Sequence, residues 1–152
     1  MLPRGELPAW SEPTIDLRSA ARTSLILCVY SRIAKWADGV ELNSVRAHAW
    51  HEHEPELVAL GYDVVALSAQ SLEDQRVWVE NERLVCTVLS DVELRLAATL
   101  GLPTIEQAGA RVYDDLTLVA QGGEVTQVFF PLRDRAHDAQ IVTSWLGDVH
   151  DV

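Results

Sequence analysis

The stretch TSLILCVY at residues 23–30 is an unbroken apolar run of strand length, and YDVVALSA at residues 62–69 is a second one. Short apolar runs of this kind predict strands that are buried on both faces of a sheet. Residues 44–60, which lie between the two runs, predict a helix with Asn43 or Ser44 as its N-cap. Because a helix is the usual crossover between parallel strands, this region predicts a parallel strand–helix–strand unit.

Two more helices and a short strand are predicted after the second run. Ser71-Leu72-Glu73-Asp74 resembles a capping box and predicts a helix that extends to about Arg83. LVCTVL at residues 84–89 predicts a strand, and Ser90-Asp91-Val92-Glu93 predicts the start of another helix. Gly101, with Pro103 just beyond it, predicts the end of that helix.

The last part of the chain predicts a hairpin and a final helix. LTLVA at residues 116–120 and EVTQVFF at residues 124–130 flank the turn sequence Gln121-Gly122-Gly123. The final helix is predicted at residues 134–146, ending at Gly147, with one apolar face formed by Ile141, Val142, Trp145 and Leu146. A parallel βαβ unit followed by an antiparallel ββα unit is the plan of the thioredoxin fold.

The chain therefore predicts a single α/β domain, a thioredoxin-like sheet flanked by helices. Residues 1–20 contain three prolines and little periodicity, so they predict an irregular N-terminal arm, and residues 21–152 form the predicted domain. Ligands of open α/β sheets bind beyond the carboxyl ends of the strands. We therefore expect the site in loop 31–43, at the start of the first helix.

The composition argues against several classes of partner. The 152 residues carry 12 Lys and Arg against 23 Asp and Glu, a net charge of −11. This balance argues against nucleic acids and anionic membrane surfaces. No apolar run approaches the roughly 18 residues of a transmembrane helix. The N-terminus has no apolar signal segment either, so we expect a cytoplasmic protein.

The two cysteines, Cys28 and Cys86, both lie in predicted buried strands. Buried cysteines usually act as small apolar residues, and no Cys-x-x-Cys pair or Cys/His cluster predicts zinc. His51 and His53 lie about 200° apart on a helix, so one metal ion cannot take both. His48 and His51 lack an evident third ligand. We therefore expect neither a metal ion nor another cofactor.

The chain from Gly61 to Leu146 resembles the peroxiredoxin family, which includes alkyl hydroperoxide reductases and thiol-specific antioxidants. The similar segments are GYDVVALSAQS (61–71), VLSDVELRLAATLGLPT (88–104) and AGARVYDDLTLVAQGGEVTQVFFP (108–131). Thr14-Ile15-Asp16-Leu17 is also similar to the N-terminal hairpin of the family. The resemblance implies a thioredoxin-like fold of the peroxiredoxin type. It also implies a possible homodimer, since family members often pair.

The sequence departs from this family at the residues that carry out its chemistry. Peroxiredoxins have a Pro-x-x-x-Thr-x-x-Cys loop at the start of the first long helix, and the cysteine attacks the peroxide as a thiolate. With Trp50-His51-Glu52-His53 set against the Phe-Arg-Asp-His segment of the family, the cysteine position falls near Asn43. The proline and threonine positions then fall near Trp36 and Val40, and a strand-borne arginine is replaced by Asp115.

These replacements argue against peroxide reduction by the mechanism of the family. No cysteine lies between Cys28 and Cys86, so no local shift of the alignment restores the nucleophile. An asparagine amide cannot pass through sulfenic acid. An aspartate in place of an arginine would raise, not lower, the pKa of a nearby thiol.

Three residues are candidates for a catalytic role: Asp115, His53 and Asn43. Asp115 either points at loop 31–43 or belongs to a solvated turn before a strand. His53 falls on the apolar side of the first helix, together with Arg46 and Trp50. It is either a core histidine or a general acid or base near Asp115.

The candidate ligand-binding residues are polar or aromatic groups in or near the same loop. A tryptophan beside charged groups is a common pocket lining, although a surface loop with one half-buried tryptophan is the alternative. Arg111 is included because it could neutralise Asp115. The full set is Tyr30, Arg32, Trp36, Asp38, Arg46, Trp50 and Arg111.

Three hypotheses of function remain open. In the first, the former cysteine pocket binds a small organic molecule and performs acid–base chemistry such as cyclisation, elimination or isomerisation. Asp115 or His53 would move a proton, and Asn43 or Arg32 would polarise an oxygen. The second is a non-catalytic module that binds a ligand or a protein. The third is a thiol oxidoreductase that uses Cys28 or Cys86, and it ranks last because both cysteines are predicted to be buried.

Overall fold

A five-stranded sheet forms the centre of the computed structural model, which describes residues 6–7, 15–16, 24–31, 40–83, 87–107, 109–132 and 134–150. The described elements, in chain order, are β1 (Glu6–Leu7), β2 (Ile15–Asp16), β3 (Ser24–Val29), α1 (Val40–Ala59), β4 (Asp63–Ser68), α2 (Leu72–Glu82), β5 (Val88–Ser90), α3 (Arg95–Leu100), β6 (Thr104–Gln107), β7 (Ala110–Tyr113), β8 (Leu116–Gln121), β9 (Glu124–Phe129) and α4 (Asp138–His150).

The strand order of the sheet is β5-β4-β3-β8-β9. Strand β3 is parallel to β4, and β4 is parallel to β5. Strand β8 is antiparallel to β3, and β9 is antiparallel to β8. The parallel and antiparallel halves therefore share one sheet, which confirms the predicted single α/β domain with a thioredoxin-like sheet flanked by helices.

Strand β3 is buried along its whole length, since helices and loops cover both faces of the sheet. Side chains alternate between the two faces of a strand. Ile26 and Cys28 accordingly belong to one core cluster, and Leu25 and Leu27 belong to another. The first cluster also takes in helix residues of α1, α2 and α4: Trp50, Leu57, Trp78, Val142 and Leu146.

Helix α1 begins earlier than the sequence predicts. It starts at Val40, so Asn43 and Ser44 lie inside its first turns, and the prediction that one of them is the N-cap is wrong. The helix continues through Pro55 to Ala59. This earlier start brings the Asn43 side chain into the interior at the end of the sheet, where it is buried.

Helices α2 and α3 show two ways of capping. The Ser71 hydroxyl accepts a hydrogen bond from the Asp74 N–H at 3.2 Å, which confirms the predicted start of α2. Helix α3 begins only at Arg95, so its predicted start at residues 90–93 is wrong, and Leu94 before it has a left-handed backbone. The Asp91 carboxylate accepts from the N–H groups of Arg95 and Leu96 at 2.9 and 3.0 Å. Gly101 ends α3 in the left-handed conformation, as predicted.

The C-terminal elements differ from the prediction mainly in their ends. The turn between β8 and β9 consists of Gly122 and Gly123, which both have positive φ, as tight hairpin turns require. Helix α4 runs from Asp138 through Gly147 to His150, so its predicted bounds are wrong at both ends. The antiparallel pair β6–β7 was not predicted.

Some predictions concern the chain ends and loops. Strands β1 and β2 pair antiparallel within the predicted N-terminal arm. Residues 84–86, which include Cys86, lie outside the described residues. Within the part of the chain that the structure describes, no helix combines the length and the apolar character that crossing a bilayer requires.

Candidate functional site

Asp115 is the centre of a buried polar cluster. It directly precedes β8, and its side chain is 2 % exposed. Ser31, just beyond the end of β3, donates to it twice: its N–H to Oδ1 at 2.7 Å and its hydroxyl to Oδ2 at 3.0 Å. Because β3 and β8 are antiparallel neighbours, the end of one strand lies beside the start of the other. The strand pairing therefore places Ser31 on Asp115.

Two arginines compensate the charge of Asp115. Arg135, in the segment before α4, donates to Asp115 Oδ2 from Nη2 at 2.6 Å and from Nε at 3.3 Å. Arg46 of α1 places its Nη1 3.8 Å from Asp115 Oδ1. A buried carboxylate is costly unless it is paired and hydrogen-bonded. Both of its oxygens are therefore engaged, and the carboxylate is held in a fixed orientation.

Asn43 approaches the same cluster from helix α1. Its Nδ2 donates to the Ser31 hydroxyl oxygen at 3.4 Å. Ser31 thus bridges Asn43 and Asp115, which are two of the three residues that the sequence nominated for catalysis. The expectation that Asp115 faces the start of the first helix agrees with this geometry, whereas a catalytic role for either residue stays a prediction.

Arg46 connects this cluster to a second buried carboxylate, Asp138. Its Nε donates to Asp138 Oδ2 at 2.8 Å, and its other nitrogens donate to the carbonyl oxygens of Val29 and Leu116 at 2.6 and 2.7 Å. The guanidinium carbon lies 4.4 Å from the centroid of the Tyr30 ring, which is a cation–π distance. Arg46 therefore ties helix α1 to the adjoining ends of β3 and β8.

The Asp138 carboxylate accepts further hydrogen bonds. Trp50 Nε1 donates to Oδ2 at 2.7 Å, and the Thr117 hydroxyl lies 2.9 Å from the same oxygen. Burial is the largest single influence and on its own would lower the pKa of the Arg46 guanidinium. The charge of Asp138, the hydrogen bond to it and smaller contributions from Tyr30 and Cys28 together outweigh burial and raise that pKa above its ordinary value. Arg46 consequently stays charged, and the cluster of two arginines and two aspartates is neutral overall.

The structure does not bring His53 into this cluster. His53 lies ten residues after Asn43, a rise of about 15 Å along the helix. Its Nδ1 is 2.9 Å from the Ala49 carbonyl oxygen, within its own helix. His53 is half-buried at this position. The geometry is that of a histidine at the edge of the core, and the expected proximity of His53 to Asp115 is wrong.

Arg111 is also remote from Asp115 in its contacts. It is exposed on the β6–β7 hairpin, where it donates to Thr104 Oγ1 at 2.9 Å and pairs with Glu106 at 3.3 Å. The expectation that Arg111 neutralises Asp115 is therefore wrong, because Arg135 and Arg46 do so instead. The other predicted loop residues, Arg32, Trp36 and Asp38, lie outside the described residues.

Sequence analysis overlooked the residues that complete the cluster: Ser31, Thr117, Arg135 and Asp138. Ser31 follows the carboxyl end of a buried strand, which is the general place for ligand sites in such sheets, and that signal could have identified it. Arg46 and Asp138 are 92 residues apart in the chain, and no local pattern connects them. Within the described ranges, no group of three or more His, Cys, Asp or Glu side chains is placed to share a metal ion.

No protein-family model matches the sequence, and no curated protein sequence matches it significantly. Solved structures do match. The chain is similar to a bacterioferritin comigratory protein of Xanthomonas campestris described for its alkyl peroxide reduction activity, with a TM-score of 0.81 and 16% identity over 98% of this chain and 96% of that one. It is also similar to the peroxidoxin BcpB from Mycobacterium tuberculosis, with a TM-score of 0.82 and 17% identity over 98% and 95% of the two chains.

A third similar structure is a mutant of peroxiredoxin 6 from Arenicola marina, with a TM-score of 0.76 and 13% identity over 98% of this chain and 73% of that one. Likeness at these identities concerns the fold. The chain has the thioredoxin-like fold of the peroxiredoxin type, as the sequence resemblance predicted.

Proposed function

We propose that this peroxiredoxin-like protein is not a thiol peroxidase and that the cluster around Asp115 binds a small organic molecule. The observation that carries the proposal is the pairing of Asp115 with two arginines, at 2.6 Å for Arg135 and 3.8 Å for Arg46. A thiolate needs positive charge beside it. Here the nearby positive charge is already compensated by carboxylates, and the cysteine position falls near Asn43.

Arg135 is the group best placed to receive a ligand. Its side chain is 29% exposed, whereas Asp115 is buried. Its Nε and Nη2 bind Asp115, and in the described part of the chain its Nη1 has no hydrogen-bond partner. A guanidinium edge of this kind binds carbonyl or carboxylate oxygens. The ligand class that fits is therefore a small molecule with a carbonyl or carboxylate group.

Acid–base catalysis at the same site is the second candidate function. The Ser31 hydroxyl donates to Asp115 Oδ2 at 3.0 Å and accepts from Asn43 at 3.4 Å, so it can relay a proton to the carboxylate while Asn43 polarises an oxygen. This would support a cyclisation, elimination or isomerisation. Both oxygens of Asp115 are already engaged by Ser31 and Arg135, so binding alone is the first candidate.

Side-chain NMR signals of the site test the binding proposal. Titration with carboxylates of two to five carbons should shift the Arg135 Nε–H and Asn43 amide signals in a saturable way. The Arg111 Nε–H signal is the internal control, since Arg111 is an exposed arginine with contacts on a different hairpin. Equal shifts at Arg111 and Arg135, or no shift at Arg135, would contradict the proposal.

The variant Asp115→Asn separates the two candidates once a ligand is found. A pure binding site should keep or increase its affinity for a carboxylate, because the amide preserves the size of the side chain and removes a negative charge beside Arg135. An acid–base enzyme should still bind but lose turnover by orders of magnitude, which NMR of the ligand would report as loss of product.

The division into an arm (1–20) and a domain (21–152), a cytoplasmic location and a homodimer are parts of the same proposal.

A further inference from the structure

A partly open cavity of about 30 Å³ lies between helix α1, strands β3 and β4, and helix α2. This volume holds about two or three water-sized groups. Ala47 and Ala66 stand in its wall, and their short side chains leave the space unfilled. Among the described residues, the lining consists of Cys28, Tyr30, Ala47, Trp50, His51, Glu54, Val64, Ala66 and Trp78. Two of these residues also touch the Asp115 cluster, since Trp50 donates to Asp138 and Tyr30 stacks on Arg46. Asp115 and Arg135, where the proposed carboxylate ligand binds, do not line the cavity.

The two tryptophans of the lining have their polar atoms engaged elsewhere. Trp50 Nε1 donates to Asp138 at 2.7 Å, and Trp78 Nε1 donates to Ser44 at 3.3 Å. The Tyr30 and Trp78 rings pack against each other with centroids 5.8 Å apart. The two indoles therefore present ring carbons, and not hydrogen-bond donors, to the cavity. Such a lining suits an alkyl group.

The mouth of the cavity has a different chemistry. His51 and Glu54 are its exposed rim, with side chains 48% and 36% accessible. The nearest approach between them is 3.9 Å, which is too long for a hydrogen bond. Within the described residues Glu54 has no hydrogen-bond partner, so its carboxylate is available to a ligand at the mouth. The net charge of −11 also favours cations.

Arg46 sets the direction in which a cationic ligand can enter. Its guanidinium stacks on Tyr30, so a second positive charge deep in the cavity would be repelled. Glu54 lies eight residues after Arg46, a rise of about 12 Å along α1. The alkyl end must therefore point inward, and the charged end must remain at Glu54.

We propose that this cavity binds a short-chain primary amine, with its alkyl tail between Tyr30, Trp50 and Trp78 and its ammonium group at Glu54. The volume limits the enclosed tail to two or three carbons. The proposal is independent of the carboxylate site at Asp115, and either can fail alone.

Titration with n-propylammonium, followed through the methyl signals of Ala47 and Ala66, tests the proposal. The expected result is saturable binding that Glu54→Gln weakens by about two- to fivefold, as loss of an ion pair at a half-exposed site implies. Glu56→Gln is the matched control, since Glu56 is exposed on the same helix and does not line the cavity. 1-Propanol, which has the same tail without the charge, should bind about two- to fivefold more weakly.

A second variant tests the cavity itself. Ala66→Val fills the space and should abolish the Ala47 shift, whereas Ala98→Val, on the exposed side of α3, should leave it unchanged. The proposal is overturned if propylammonium does not bind, if propanol binds equally well, or if Glu54→Gln and Glu56→Gln behave alike. Should Ala66→Val fail to fold, the comparison of the two glutamates decides alone.

Discussion

At the scale of single residues, Arg46 and Asp138 form a buried ion pair. Arg46 is completely buried, and all of its nitrogens donate to acceptors in β3, β8 and α4. Removing one partner of a buried ion pair leaves an uncompensated charge in the interior, which costs far more than the intact pair contributes. The pair therefore fixes how α1 and α4 pack against the end of the sheet.

The first prediction concerns this pair. Asp138→Ala should lower the free energy of unfolding by about 3–5 kcal/mol, because Arg46, Trp50 and Thr117 all lose their acceptor. Urea unfolding measures the loss. Asp148→Ala, an exposed change on the same helix, should stay within about 0.5 kcal/mol of wild type. A loss below about 1 kcal/mol for Asp138→Ala would show that the buried network has no structural role.

At the scale of elements, helix α3 depends on a side chain outside it. Asp91 caps its first N–H groups and also accepts from the Tyr113 hydroxyl at 2.6 Å, and that hydroxyl accepts from the Ala97 N–H at 3.0 Å. This arrangement joins α3 to strand β7. The pKa of Tyr113 is raised well above its ordinary value of 10.0. Burial is the main cause, and the hydrogen bond to Asp91 is the second.

The second prediction follows from the direction of that shift. Above pH 10, Tyr113 keeps its proton in the folded state but loses the proton in the unfolded chain. Tyr113 therefore contributes fully to the free energy of unfolding below pH 10, and this contribution declines as the pH rises above 10. Wild type should lose about 1.4 kcal/mol per pH unit more than Tyr113→Phe in this range. Chemical unfolding of both proteins between pH 8 and 11 measures the difference, and parallel curves would contradict the assignment.

The third prediction concerns two glycines in different elements. Gly122 has a φ of +62° in the β8–β9 turn, so Gly122→Ala should destabilise the protein by about 1–2 kcal/mol. Gly147 lies inside α4, and an added Cβ there meets nothing within 4 Å. Gly147→Ala should therefore stabilise the protein by about 0.5–1 kcal/mol. Melting temperatures that move in the same direction for both variants would contradict this account of the two elements.

At the scale of the whole molecule, the architecture could be predicted from local patterns, but the site could only be located in part. Continuous apolar runs identified β3 and β4, and the paired glycines identified the β8–β9 hairpin. The resemblance to the peroxiredoxin family predicted that Asn43 and Asp115 belong to the same site. Arg135 and Asp138 could not be predicted because they contact their partners only when the final helix packs against the sheet. The spacing of residues in the sequence does not indicate such a contact.

The molecule has the fold of a peroxiredoxin, and we propose that it lacks the thiol chemistry of that family. Cys28 is 1% exposed and lies one residue before the end of β3, in a position typical of a structural residue. Intact-mass spectrometry of the reduced protein, after a small excess of hydroperoxide with a sulfenic-acid trap present, tests this proposal. We expect no trapped adduct on Cys28 or Cys86 within minutes. Rapid, near-stoichiometric trapping on either cysteine would contradict it and make the protein a thiol oxidoreductase.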